Sequence, residues 1–132
     1  MTKRYDTYSA TEYDGLIYDV NPPADVFAVK IRKQSSDAAT LKRGTVLALS
    51  TGTAGDNLMV MLGTTAATNE TLTANCILAE DVEVGTTEDA VALAYRTGHF
   101  ASNKLIVASG KTFGAADKEA LRDVGILISE AM

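Results

Sequence analysis

From residue 24 onward the apolar positions come in short runs of β-prone residues separated by turn formers, and in the last third they change to helical spacing. Val26, Phe27, Val29 and Ile31 predict a first strand, which ends among the basic residues Lys30, Arg32 and Lys33. A loop rich in Ser, Asp, Ala and Thr follows over residues 34–40, and Leu41-Lys42-Arg43-Gly44 turns the chain into a second strand at residues 45–49. Gly52, Gly55, Asp56 and Asn57 form a turn ahead of a strand at residues 58–62, and the small, polar stretch 63–69 is another loop. Residues 71–84 read as a strand with a break at Asn75, its later part setting Ile77, Ala79, Val82 and Val84 against Glu80, Asp81 and Glu83. A further apolar strand covers residues 90–95 after the loop at 85–89. Short strands punctuated by turns in this way predict a small β-barrel or sandwich.

Helical signals begin at Ser102-Asn103, placed to cap a short helix over residues 104–108 that Gly110 ends. A stronger helix is expected at residues 115–124, with Thr112 as its N-cap and with Asp117 and Glu119 near its positive N-terminal end. Gly125 falls at the left-handed position past its C-terminus, and Ile126 follows where a Schellman ending sets an apolar residue against Leu121. Ile126, Leu127 and Ile128 predict a closing strand. The expected class is α+β and β-dominated: a small barrel- or sandwich-like domain with two short helices in its C-terminal half.

Residues 1–23 follow neither period. Tyr5, Tyr8, Tyr13 and Tyr18 stand among Asp6, Glu12, Asp14 and Asp19, and Asn21-Pro22-Pro23 closes the segment with an extended, stiff break. The expected organisation is an extended arm over residues 1–23, outside the core, and a single domain over residues 24–132. A frayed end without a role is the plain alternative for any chain terminus. Against it, tyrosine offers a large contact area at low entropic cost and is favoured at interfaces. Leu16, Ile17 and Tyr18 form a β-prone cluster suited to adding a strand to a partner's sheet edge. Tyr5, Tyr8, Tyr13, Leu16, Ile17 and Tyr18 are therefore the candidate contact residues. Removal of residues 1–20 is expected to leave the domain folded and its partner binding lost.

Composition narrows the partners. With 132 residues, 46% apolar and 22% charged, the chain fits one globular domain, and 6% aromatics without Trp leave its core to Val, Ile, Leu and Ala. The formal charge is −5, and residues 44–95 contain no Lys or Arg while holding Asp56, Glu70, Glu80, Asp81, Glu83, Glu88 and Asp89. That acidity disfavours nucleic acid or an anionic membrane as partner. The tyrosines also stand beside acids, not beside the Lys and Arg that follow a phosphate backbone. No apolar run reaches membrane-span length, and Met1-Thr2-Lys3-Arg4 leading into Tyr5 and Asp6 is not expected to act as an export leader. A lone Cys76 cannot form an internal disulfide.

Candidate chemistry is thin. The sole histidine, His99, stands with Arg96 beside a glycine turn in Tyr95-Arg96-Thr97-Gly98-His99-Phe100, a pairing able in principle to meet a phosphate or carboxylate. No second motif supplies a nucleophile or acid for it. Cys76 lies in the apolar stretch 74–79 and reads as a buried structural thiol; whether it meets His99 is not something spacing decides. One His and one Cys cannot assemble an ordinary zinc site within one chain. Glu80-Asp81-Val82-Glu83 lacks the glycine-containing loop of an EF-hand, and Gly52 and Gly55 lack the Lys and following helix of a phosphate loop. The expectation is a protein that is not an enzyme and takes no cofactor or metal. Binding or assembly suits it better, and oligomerisation is a natural way for so small a domain to bury more apolar surface.

Ile77-Leu78-Ala79-Glu80-Asp81-Val82, followed by Ala90-Val91-Ala92-Leu93-Ala94-Tyr95-Arg96-Thr97-Gly98-His99-Phe100, resembles the head decoration proteins of tailed bacteriophages, of the lambda decoration protein type. Leu105 and the run from Ala115-Ala116-Asp117 to Asp123-Val124-Gly125-Ile126 are similar to the closing helix and strand of that family, and Lys42-Arg43-Gly44-Thr45-Val46-Leu47-Ala48 fits its opening. The resemblance covers residues 41–132; ahead of it the chain carries a longer Tyr-rich arm and an extra strand at 26–31. It implies a homotrimer, made in the host cytoplasm, on the outer surface of an icosahedral head at three-fold and quasi-three-fold positions. There it would bind the major capsid protein after the shell expands and act as cement against internal DNA pressure. The family's N-terminal arm orders on the capsid by adding a strand to a capsid-protein sheet, which matches the character of residues 1–23. Two other classes remain open: a tail or fibre adaptor, and a small ligand-binding or enzymatic domain using Arg96 and His99.

Overall fold

The computed structural model describes residues 16–19 and 23–129. In chain order the strands are β1 (Ile17–Asp19), β2 (Asp25–Ile31), β3 (Ala39–Leu41), β4 (Val46–Thr51), β5 (Met59–Met61), β6 (Thr71–Leu78), β7 (Val82–Val84) and β8 (Ala90–Ala101). A 3-10 turn at Ser102–Lys104, the helix α1 (Ala115–Asp123) and β9 (Ile126–Ser129) follow. Strands β8, β2, β5, β4 and β6 are hydrogen-bonded in that order, and β6 pairs back onto β8, closing a five-stranded barrel. The closure is antiparallel throughout except for a single parallel pairing of β2 with β5, at Ile31 and Met59.

Two cores lie on either side of the barrel wall. Val29, Ile31, Leu47, Met59, Cys76, Leu78, Ala92 and Ala94 come from all five barrel strands and fill the interior, with Leu41 and Val84 of the β3·β7 ribbon. Val46, Ala48, Val60, Ala74, Ile77, Tyr95 and Phe100 form a second core outside the wall, covered by Leu121 of α1, Ile126 of β9 and Leu16. Both faces of β4 are therefore buried, which is why residues 46–49 read as an apolar run without polar alternation. The break expected at Asn75 is a bulge: Leu47 faces Cys76 and Ala48 faces Ala74, leaving Asn75 as the extra residue within one strand. The interruption of the 71–84 stretch comes later, between β6 and β7.

Strand β8 is the spine of the molecule. Up to Thr97 it pairs with β2; Gly98, His99, Phe100 and Ala101 then leave the barrel between β1, which is antiparallel, and β9, which is parallel. It runs six residues past the predicted end at Tyr95 because Gly98 serves a strand and not a turn. Gly98 has φ +143°, and a Cβ there would lie 2.6 Å from the Phe100 ring, so the glycine makes room for that ring to reach the outer core.

One of the two predicted helices forms. Its N-cap is Gly114 and not Thr112, and the Asp117 carboxylate accepts the Gly114 N–H at 3.0 Å. Its end matches the expectation: Gly125 has φ +107° and donates to the Arg122 carbonyl at 3.1 Å, while Leu121 and Ile126 are both fully buried in the outer core. The helix expected at residues 104–108 is absent. There the Ile106 N–H donates to Gly44 at 3.0 Å and its carbonyl accepts from Val46 at 2.9 Å, so backbone groups a helix would use internally join the barrel instead.

Candidate functional site

Leu16, Ile17 and Tyr18 form the predicted β-prone segment, but its partner is the chain's own β8. Ile17 stands opposite Phe100, and the Ala101 N–H donates to the Leu16 carbonyl at 2.8 Å. Leu16 is 2% exposed in the outer core and Ile17 packs against it, so this part of residues 1–23 belongs to the domain and not to an arm outside the core. The physical reason is that the protruding tail of β8 offers an unsatisfied edge close by, with an apolar pocket over Phe100. Deletion through residue 20 would therefore remove a core side chain and a strand along with the arm. Tyr5, Tyr8 and Tyr13 lie outside the described residues.

Tyr18 is the outward-facing member, 42% exposed, with its ring 4.7 Å from that of His99. On the other side, His99 Nε2 lies 2.6 Å from Ser129 Oγ. Leu127 and Ser129 alternate along β9 with Ile126 and Ile128, which face the core, and Leu127 stands in register with His99. Tyr18, His99, Leu127 and Ser129 thus share the outer face of a three-stranded sheet, β1·β8·β9, at the point where residues 1–15 join the fold.

The candidates for catalysis or metal binding do not converge. Arg96 is held by Asp25, its Nε and Nη2 at 3.0 and 2.9 Å from one carboxylate oxygen, while His99 is taken up by Ser129 and Tyr18. Cys76 is fully buried inside the barrel with its Sγ 4.0 Å from Met59 Sδ, and burial pushes its thiol up to about 12. It stays a protonated, inert thiol away from His99. The Glu80 carboxylate accepts the Leu93 N–H at 3.0 Å, and Asp81 accepts the Arg43 N–H at 2.7 Å. Both acids complete backbone hydrogen bonds that the strands leave open.

One polar cluster has no counterpart in the sequence patterns. Arg32, just past β2, forks onto Asp56 through Nε and Nη2, each at 2.9 Å, and Nη2 also reaches Glu70. The Glu70 side chain is 2% exposed and accepts hydrogen bonds from the Ala67 N–H, at 2.8 Å, and from the Ser50 hydroxyl. The Ala67 amide, Ser50 and Arg32 together hold Glu70 at about 2, and Arg32 above all holds Asp56 at about 2. The cluster ties the 52–57 turn and the loop before β6 to the end of β2. Its role is structural.

A barrel on which Arg96, His99, Cys76, Glu80 and Asp81 each have a partner within the chain, with an exposed aromatic on a protruding sheet, has the character of a structural protein suited to assembly. The family described as bacteriophage lambda head decoration protein D matches residues 7–127, and the chain belongs to that family. It is a structural protein of a phage head, associated with the capsid, and not an enzyme. The match takes in β2 and most of the N-terminal segment, both ahead of the resemblance visible in the sequence from residue 41. No curated protein matches the chain.

Proposed function

We propose that the chain coats the outer surface of the expanded head as a homotrimer and cements it, with its N-terminal segment adding a strand to the major capsid protein. The observation that carries this reading is β1: it is paired on one side only among the described residues, and exposed Tyr18 stands on it. Residues 1–15, with Tyr5, Tyr8 and Tyr13, lead directly into it. Leu16 and Ile17 anchor the segment to the domain, while Tyr18 and the three earlier tyrosines meet the capsid. An edge strand in place gives the segment a template for further main-chain pairing, with the tyrosines filling pockets on the partner. Ordering each segment costs conformational entropy, so a single contact is weak. Three segments engaging together offset that through effective concentration. Residues 1–14 are the ones to delete, because the cut spares Leu16. The truncated chain is expected to keep the melting behaviour and solution mass of the full chain but no longer to sediment with expanded heads. Undiminished sedimentation would show that the capsid contact lies elsewhere.

A further inference from the structure

We infer that His99, itself held by Ser129, positions the ring of Tyr18 for the capsid. This assignment rests on the capsid contact proposed above for Tyr18 and names what fixes that side chain before the head is met. The need for such a device lies in β1. Ile17 stands opposite Phe100 and Asp19 opposite His99, so two steps along β1 face one step along β8, and Tyr18 is the extra residue of a bulge. A bulge at a sheet edge re-aims a side chain and leaves it without a residue across the ladder. Strand pairing therefore places the backbone at Tyr18 but does not fix its ring. The ring is exposed, and its hydroxyl has no hydrogen-bond partner among the described residues. What the ring does meet is His99, with centroids 4.7 Å apart and planes tilted by 40°, a separation at which aromatic pairs attract.

His99 fixes Tyr18 only if it is fixed itself. Between α1 and β9 lies a groove of about 280 Å³, lined by His99 and Ser129 and, from the helix, by Lys118, Glu119 and Arg122. It has room for an imidazole that turns away from Tyr18. The hydrogen bond between His99 Nε2 and Ser129 Oγ, at 2.6 Å, closes that option whichever of the two atoms carries the proton. Ser129 on β9, His99 on β8 and Tyr18 on β1 thus form a line of contacts across the protruding sheet, ending at the exposed ring. A side chain already held in place loses less entropy when a partner immobilises it, so the line raises affinity without His99 or Ser129 touching the capsid. The division of labour along the segment follows: Leu16 and Ile17 anchor the strand in the outer core, and His99 sets the ring that projects from it.

The test is a double-mutant cycle on head binding, read by sedimentation with expanded heads over a range of protein concentrations, with the urea midpoint of each variant measured alongside. His99→Ala is expected to weaken binding about fivefold, a change of about 1 kcal/mol, and Ser129→Ala about twofold. Ser129→Thr keeps the hydroxyl and the strand propensity and is expected to bind as wild type does. In the Tyr18→Ala background neither His99→Ala nor Ser129→Ala weakens binding further, because no ring is left to position. A direct capsid contact by His99, or a general loosening of the sheet, would keep its effect in that background. Should His99→Ala lower the urea midpoint, Ser129→Ala and Ser129→Thr carry the same cycle. Binding left unchanged by both alanine variants, or losses that persist in full beside Tyr18→Ala, overturn the positioning role and leave the Tyr18 contact standing. Tyr18→Ala that binds heads as wild type does overturns the contact at Tyr18, and the positioning role with it.

Discussion

Glu70, one of seven acids in a stretch that holds no Lys or Arg, is nearly buried and bonded by Arg32 from 38 positions away. No local spacing announces such a pair; it exists because β2, the turn after β4 and the start of β6 meet at one end of the barrel. Its consequence is a dependence on acid. In the folded chain Glu70 and Asp56 are held at about 2, against ordinary values of 4.5 and 3.8. As the pH falls below about 4.5 the unfolded chain binds protons that the folded chain refuses, so the stability these groups confer is complete above that range and is lost toward pH 2. The urea midpoint is expected to fall steeply across that interval, and Glu70→Gln to give a lower midpoint at neutral pH with a shallower fall in acid. An equally steep fall in the variant would remove Glu70 from the cause. Cys76, by contrast, was legible as a buried thiol, because an apolar run around a lone cysteine reports burial whatever its neighbours are.

At the scale of elements, what could be read depended on whether the deciding contact was local. The end of α1 was legible in Gly125 and Ile126, since a left-handed cap and its apolar partner lie within a few residues. The length of β8 was not, because Gly98 resembles a turn until the Phe100 ring is seen lying over it. Three-residue β3 carries too few positions to show a period, and the helix at 104–108 lost to pairing with Gly44 and Val46, distant in the chain. For β1 the β-propensity was visible and the partner was not. That distinction separates two neighbours on the strand. Leu16→Ala is expected to cost about 2–5 kcal/mol of stability, the usual range for a truncated buried leucine. Tyr18→Ala is expected to change stability by no more than about 0.5 kcal/mol, as exposed positions do, and to weaken head binding. Chemical unfolding with parallel sedimentation on heads distinguishes them; equal losses of stability would contradict the anchor-and-contact division.

Across the whole molecule, a closed barrel carries one long strand beyond its wall, and that strand gathers β1 and β9 into a small second sheet. The barrel interior and the outer core share β4, β5, β6 and β8, so the protruding sheet is braced by the same strands that form the barrel wall. Such a platform is what the proposed cementing role requires, with the domain fixed on the shell and residues 1–15 as the proposed contact to a neighbouring capsid subunit. Expanded, emptied heads of the phage that encodes the chain, incubated with the full-length protein, then sedimented and heated, test this most directly. The predicted result is that the protein sediments with the heads and raises the temperature at which they break. Protein that stays in the supernatant at every concentration, or that binds and leaves the breaking temperature unchanged, would contradict a cementing role.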